Sequence, residues 1–139
     1  MTQPYADAVL RGVLDAQISD AAVFTERPPD LLKHLPCLVI ATEPAPLTAS
    51  LPRIDARFAA RPMLQLRAYA ADRRSAGELA MAGRAALITA WRRPVTTPEG
   101  SINRVDVLAE PAQEDDESLP DGVTCFAGNY SVIVRPARA

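Results

Sequence analysis

The stretch at residues 63–91, MLQLRAYAADRRSAGELAMAGRAALITAW, decides the fold because a strand pattern gives way to a helix pattern within it. Residues 63–70 are strand-like. The apolar residues that follow recur with a period near 3.6, which is typical of the buried face of a helix. Ser75 and Glu78 have the spacing of a capping box, so we expect them to cap a helix at 73–91.

The other elements follow from similar patterns and from the positions of proline and glycine. We predict a first helix at 4–17 and strands at 23–26, 37–42, 53–58 continuing into 63–70, 102–110 and 123–135. The resulting order is α-β-β-β-α-β-β. Short connections between neighbouring strands favour an α+β fold, with a mostly antiparallel sheet and both helices packed on it. The length of 139 residues suits one domain, 1–139.

The amino-acid composition favours some classes of function and argues against others. Hydrophobic residues make up 48% of the chain and aromatic residues only 5%, so the core must rely on small aliphatic side chains. Lys33 is the one lysine among 15 basic residues. This bias fits a GC-rich genome, and the planar arginine side chain also suits protein–protein contacts. A net charge of -2 argues against a general nucleic-acid binder.

The two cysteines and the hydropathy of the chain indicate its compartment. Cys37 and Cys125 lie in apolar, strand-like contexts without a C-x-x-C motif, so we expect both to be buried and reduced. The N-terminus does not resemble a signal peptide, and no apolar run approaches the ~20 residues of a membrane span. We expect synthesis in the cytoplasm and no membrane partner.

The sequence holds few candidate catalytic groups. His34 is the only histidine and stands beside a proline-rich turn, so we interpret it as an exposed loop residue rather than an acid–base group. One histidine and two separated cysteines do not make a typical zinc site. We predict that the chain is not an enzyme and has no catalytic, cofactor-binding or metal-binding residues.

An acidic run occupies Glu114, Asp115, Asp116 and Glu117. It lacks the alternating ligands and the central glycine of an EF-hand loop. We interpret it as a solvated surface loop. A functional alternative is an acidic rim that repels DNA phosphate.

Five segments resemble, in order, the tail terminator proteins of long-tailed bacteriophages. They are VFTERPPD at 23–30, LPCLVI at 35–40, LQLRAYAADRR at 64–74, SAGELA at 75–80 and NYSVIVR at 129–135. The family counterparts of the last four are L-P-x-V-x-V, V-x-V-x-x-W/Y-A-x-D-R, x-A-x-x-L-A and R-Y-x-x-x-x-V-R. The order and spacing of the segments carry the resemblance. The chain departs from the family at 41–60, which is longer and richer in proline.

The resemblance implies a structural role in the virion, at the head-proximal end of the tail. Small α/β subunits of this family close into a ring, commonly a hexamer, that caps the major tail tube protein and ends polymerisation. The ring also docks to the head completion or connector proteins, and DNA passes through it without sequence-specific binding. The alternatives are a head–tail joining or tail completion protein, and a ferredoxin-like regulatory domain that binds a small ligand.

The sequence suggests where subunits and neighbours make contact. Arg53, Arg57 and Arg61 surround a predicted edge strand, and we expect them to bridge subunits. The second expected contact is the acidic run, Glu114, Asp115, Asp116 and Glu117, facing the channel or the tube.

Overall fold

The computed structural model describes residues 4–44, 61–94 and 96–136. They form a five-stranded sheet with the strand order β1-β2-β3-β5-β4. Strand β1 is parallel to β2, and every other neighbouring pair is antiparallel. The elements are α1 (Pro4–Gln17), β1 (Ala22–Phe24), a 3₁₀ helix (Leu31–His34), β2 (Cys37–Pro44), β3 (Pro62–Ala70), α2 (Arg73–Arg92), β4 (Gly100–Glu114) and β5 (Thr124–Pro136).

The fold is α+β, and its element order confirms the prediction. The bounds of α1 agree at both ends, and those of α2 agree within one residue. The predicted strand at 53–58 lies outside the described residues. None of the helices in the described ranges is long and apolar enough to cross a membrane.

The main core lies between the helices and one face of the sheet. It is almost entirely aliphatic, as the composition predicts. The α2 face that meets the sheet consists mainly of alanine, with Gly83 at the closest approach. A Cβ atom on Gly83 would lie 2.6 Å from Cδ2 of Leu66 in β3. The small residues of α2 therefore let this helix lie close against the sheet.

The predicted capping box at the start of α2 is wrong. The N-cap is Asp72, whose Oδ1 accepts a hydrogen bond from the Ser75 backbone N–H at 2.8 Å. Glu78 instead accepts a hydrogen bond from Arg74 Nε at 3.0 Å, one turn along the helix. Asp72 has extended backbone angles and lies just before the first helical residue. Its carboxylate, and not the Ser75 hydroxyl, therefore accepts hydrogen bonds from the unpaired N–H groups of the first turn.

Strand β4 is longer than predicted, running to Glu114 rather than ending near Glu110. Its pairing with β5 is irregular between Ile102 and Arg104 and at two places between Val107 and Ala112. These irregularities and the edge position allow the strand to continue through Pro111. The acidic run therefore begins within the sheet and not in a loop.

A second, smaller core lies on the face of the sheet opposite α1 and α2, which carries no α-helix in the described residues and is called the helix-free face. Cys37, Tyr69 and Cys125 stand side by side on β2, β3 and β5, and Leu31 and Val39 pack beside them. Both cysteines are free and buried, which confirms the prediction. Two strand spacings place their Cα atoms about 10 Å apart, too far for a disulfide.

Candidate interaction surface

The strand register arranges the helix-free face into rows of side chains that run across the sheet. Among residues 4–44, 61–94 and 96–136, one half of this face is covered by other segments and the other half is open. Each row is given in the strand order β2, β3, β5 and β4. The covered half has two rows: Cys37, Tyr69, Cys125 and Glu114, followed by Val39, Arg67, Ala127 and Ala112.

The open half continues along the same strands with three rows. The first open row is Ala41, Gln65, Asn129 and Ala109, and the second is Glu43, Met63, Ser131 and Asp106. The third open row contains Ile133 and Arg104.

A covering layer, residues 25–36 and 115–123, lies over the covered half. Leu31 and Leu35 from its first segment and Leu119 and Val123 from its second pack on the cysteine–tyrosine cluster. Arg27 ties the two segments together, because its guanidinium donates to Asp116 Oδ2 at 3.3 Å and to Ser118 Oγ at 3.2 Å. The face therefore has a step between its covered and open halves.

The acidic run is partly paired and partly exposed. Glu114 accepts from Arg67 at 3.2 Å on the sheet. Hydrogen bonds from Ser118 lower the pKa of Asp116, and the nearby Arg27 lowers it further. Asp115 and Glu117 are exposed. The prediction of a solvated loop therefore holds for Asp115 and Glu117 only. Glu114 and Asp116 are half-buried and contact Arg67 and Arg27, respectively.

The predicted arginine cluster is only partly within the described residues. Arg53 and Arg57 lie outside them. Arg61 lies just before β3, and its Nε donates to Ser131 Oγ in the second open row at 3.3 Å. Three row spacings, about 20 Å along the strands, separate this contact from Glu114. The two predicted contact regions thus share a face but lie at its opposite ends.

Sequence reasoning missed Leu108. This residue has no opposite partner, because Val107 pairs with Tyr130 and Ala109 pairs with Asn129. Leu108 is 53% exposed. With Ala41 and Met63 it lines a shallow depression of ≈ 340 Å³ on the open half. A bulge often redirects a side chain in this way, and only Pro111 in the sequence hints at the irregularity.

The ionisable groups buried in the described residues are suited to structure rather than to reaction. Burial raises the pKa of the Cys37 and Cys125 thiols to about 11. It raises the pKa of the Tyr69 and Tyr130 phenols to about 12. All four groups are therefore neutral near pH 7, and a neutral thiol is a poor nucleophile.

His34 is less exposed than predicted. It ends the 3₁₀ helix, half-buried, with its ring edge-on to Phe24 at 5.3 Å between centroids. Its Nε2 lies 3.1 Å from Asp30 Oδ1. In the part of the chain that the structure describes, no three His, Cys, Asp or Glu residues are grouped so that they could hold a metal ion.

No protein-family model matches the chain, and no curated protein matches it either. The open half offers neutral and apolar side chains at its centre and charged ones at its edge. Such a surface can bind another protein by shape and charge.

Proposed function

We propose that this chain is a structural subunit of a bacteriophage tail, the tail terminator. In this role it forms a ring on the tail tube, ends tube polymerisation and docks the tail to the head. The single observation that carries the proposal beyond the sequence resemblance is the half-covered sheet face. Its open half gives the subunit a broad surface for a neighbouring protein.

The side chains of the open half favour contact with protein. The first row is neutral, with two alanines and the amides of Gln65 and Asn129. The exposed Leu108 and the half-buried Met63 add apolar area beside it. A centre with few charges and a charged rim is typical of protein–protein interfaces.

The framework around this surface is held in place by polar contacts. Arg84 donates to both carboxylate oxygens of Glu110 at 2.7 and 3.0 Å, and Arg73 donates to Gln113 at 2.8 Å. These contacts tie the exposed end of β4 to α2. A pre-organised surface loses less entropy on docking, which suits a subunit with a geometric role.

Imaging tests the proposal directly. The purified chain is mixed with the tube protein encoded beside it and examined by electron microscopy. We expect ring-shaped particles at one end of each tube. A chain that binds head particles and leaves tube ends bare would favour the alternative, a head–tail joining protein. A chain that binds neither would contradict both.

A triple substitution tests the arginine cluster. Changing Arg53, Arg57 and Arg61 to Ala should weaken ring formation, because the predicted bridging cations are lost. Circular dichroism should show an unchanged fold. The matched control is Arg92→Ala with Arg93→Ala at the end of α2, where both side chains are exposed. If the triple variant assembles like this control, these arginines do not bridge subunits.

A charge reversal tests the acidic run. Asp115→Lys with Glu117→Lys should impair docking of the ring, since both carboxylates are exposed. The control is Asp20→Lys, an exposed position in the connection between α1 and β1. Virions that remain fully infectious with the reversed run would show that it is only solvated.

A further inference from the structure

We propose that the covering layer opens away from the sheet as one unit while the rest of the fold stays intact, and that Arg27 is the latch that holds it closed. Opening exposes the thiols of Cys37 and Cys125, which are buried in the closed state. The layer, residues 25–36 and 115–123, thereby controls access to two otherwise unreactive groups. This opening is independent of the proposed function.

The layer is attached to the sheet by side chains and not by strand pairing. In the parts of the chain that the structure describes, its backbone hydrogen bonds close short turns within each segment, at 30–33, 116–119 and 120–123. Strand β1 ends at Phe24, before the first segment, and β5 begins at Thr124, after the second. The layer can therefore leave the sheet without breaking a hydrogen bond between strands.

Few side chains of the layer are deeply buried. Leu31 is the one buried residue among those described in the layer. The half-buried Leu35, Leu119 and Val123 supply the other apolar contacts with the cysteine–tyrosine cluster. A depression of ≈ 260 Å³ reaches Cys125 along the edge of the second segment, so the packing there is incomplete. Segments with few buried apolar contacts and exposed turns open at a lower free energy than the core.

Two features make the segments open together. Both rest on the same hydrophobic cluster, so the departure of one segment exposes apolar surface beneath the other. Arg27 also joins them, because it donates to Asp116 Oδ2 at 3.3 Å and to Ser118 Oγ at 3.2 Å. The Arg27 side chain is 38% exposed, so water replaces these contacts when the layer opens, and the latch is of moderate strength.

The two thiols report the state of the layer. Cys37 on β2 and Cys125 on β5 stand on the helix-free face, on either side of Tyr69 and under the layer. Burial raises the pKa of both thiols to about 11, so in the closed state they are neutral as well as inaccessible. A bulky group on one thiol does not fit back into the packed cluster, and it therefore holds the layer open for reaction at the other.

Thiol labelling of the full chain tests the opening. A thiolate attacks dithionitrobenzoate and releases one coloured thionitrobenzoate for each cysteine that is modified. Opening of the layer exposes little surface, so the labelling rate should rise with urea less than about a third as steeply as global unfolding predicts. Mass spectrometry should find chains with no label or with both cysteines labelled. A urea dependence equal to that of global unfolding, or an accumulation of singly labelled chains, would overturn the proposal.

Substitutions in the layer give an independent test. Arg27→Ala should accelerate labelling roughly threefold to tenfold, since the latch is lost. Leu31→Ala, which removes the buried anchor, should accelerate it more than about tenfold. The control is Thr97→Val at the opposite end of the β4–β5 pair, where the hydroxyl donates to the Gly100 carbonyl oxygen at 2.9 Å. It weakens the whole fold to a similar extent and should leave the labelling rate unchanged. Labelling of Arg27→Ala at the native rate, or equal acceleration in Thr97→Val, would contradict the proposed latch.

Discussion

Removing one buried oxygen atom should stabilise this protein. Tyr130 is fully buried in the main core, and its hydroxyl is the one buried side-chain polar atom without a hydrogen-bond partner in the described residues. The hydroxyl lies over Gly128, where a Cβ atom would be only 2.8 Å from it. Tyr130→Phe removes the unpaired group and keeps the ring that fills this space.

The expected gain follows from two opposing terms. A buried hydroxyl without a partner costs about 1–3 kcal/mol in lost hydration. Removing one oxygen opens roughly 10 Å³, which costs about 0.2 kcal/mol at ~24 cal/mol per Å³. The net effect is a rise of about 1–3 kcal/mol in the free energy of unfolding. For a chain of this size, that corresponds to a rise of roughly 3–10 °C in melting temperature.

Thr97 provides a control, because it is also buried but its hydroxyl is hydrogen-bonded: Oγ1 donates to the Gly100 carbonyl oxygen at 2.9 Å. Thr97→Val should lower the free energy of unfolding by about 1 kcal/mol, since this hydrogen bond is lost. Urea denaturation of both variants measures the two signs in one assay. If Tyr130→Phe destabilises the protein as Thr97→Val does, the Tyr130 hydroxyl has a partner and the reasoning fails.

Three further changes have defined outcomes. Asp72→Ala should lower the free energy of unfolding by about 1 kcal/mol in urea, because α2 loses its N-cap. Gly100→Ala should lower the free energy of unfolding by more than about 2 kcal/mol. The reason is that Gly100 has a φ of +149° and that an added Cβ atom would lie 2.0 Å from the Arg135 carbonyl oxygen. A smaller loss would show that the backbone adjusts. Raising the pH above about 9 should progressively destabilise the protein, with the loss continuing to about pH 11. The reason is that the Cys37 and Cys125 thiols ionise near pH 9 when unfolded but stay protonated longer when folded. A melting temperature that is flat from pH 8 to 11 would contradict this assignment.

The fold was predictable where local patterns and tertiary packing agree. Helix α1 shows one clean apolar stripe, and its residues Val9, Leu10, Val13 and Leu14 are fully buried. On β5, Tyr130 and Val132 share the core face as their alternation predicts. At the start of α2 two capping signals compete, and sequence spacing alone cannot decide that the carboxylate of Asp72 acts before Ser75.

The candidate surface was harder to predict because it depends on pairing between distant strands. The bulge that frees Leu108 depends on its register with β5, about twenty residues away in sequence. A glycine–asparagine pair such as Gly128–Asn129 is a usual sequence signal for a bulge, but the irregular strand is β4, opposite Asn129. The lack of a side chain at Gly128 leaves room for the Tyr130 ring. The step in the face also depends on Arg27 reaching Asp116, a contact over 89 residues that no local pattern indicates.

The length of tail tubes assembled in the presence of this chain tests the proposed role most directly. Tube protein is polymerised alone and with increasing amounts of the chain, and tube lengths are counted on micrographs. Our account predicts that growth stops once the chain occupies one end, so the mean length falls as its concentration rises. Tubes of equal length at every concentration, with no particle at either end, would contradict it.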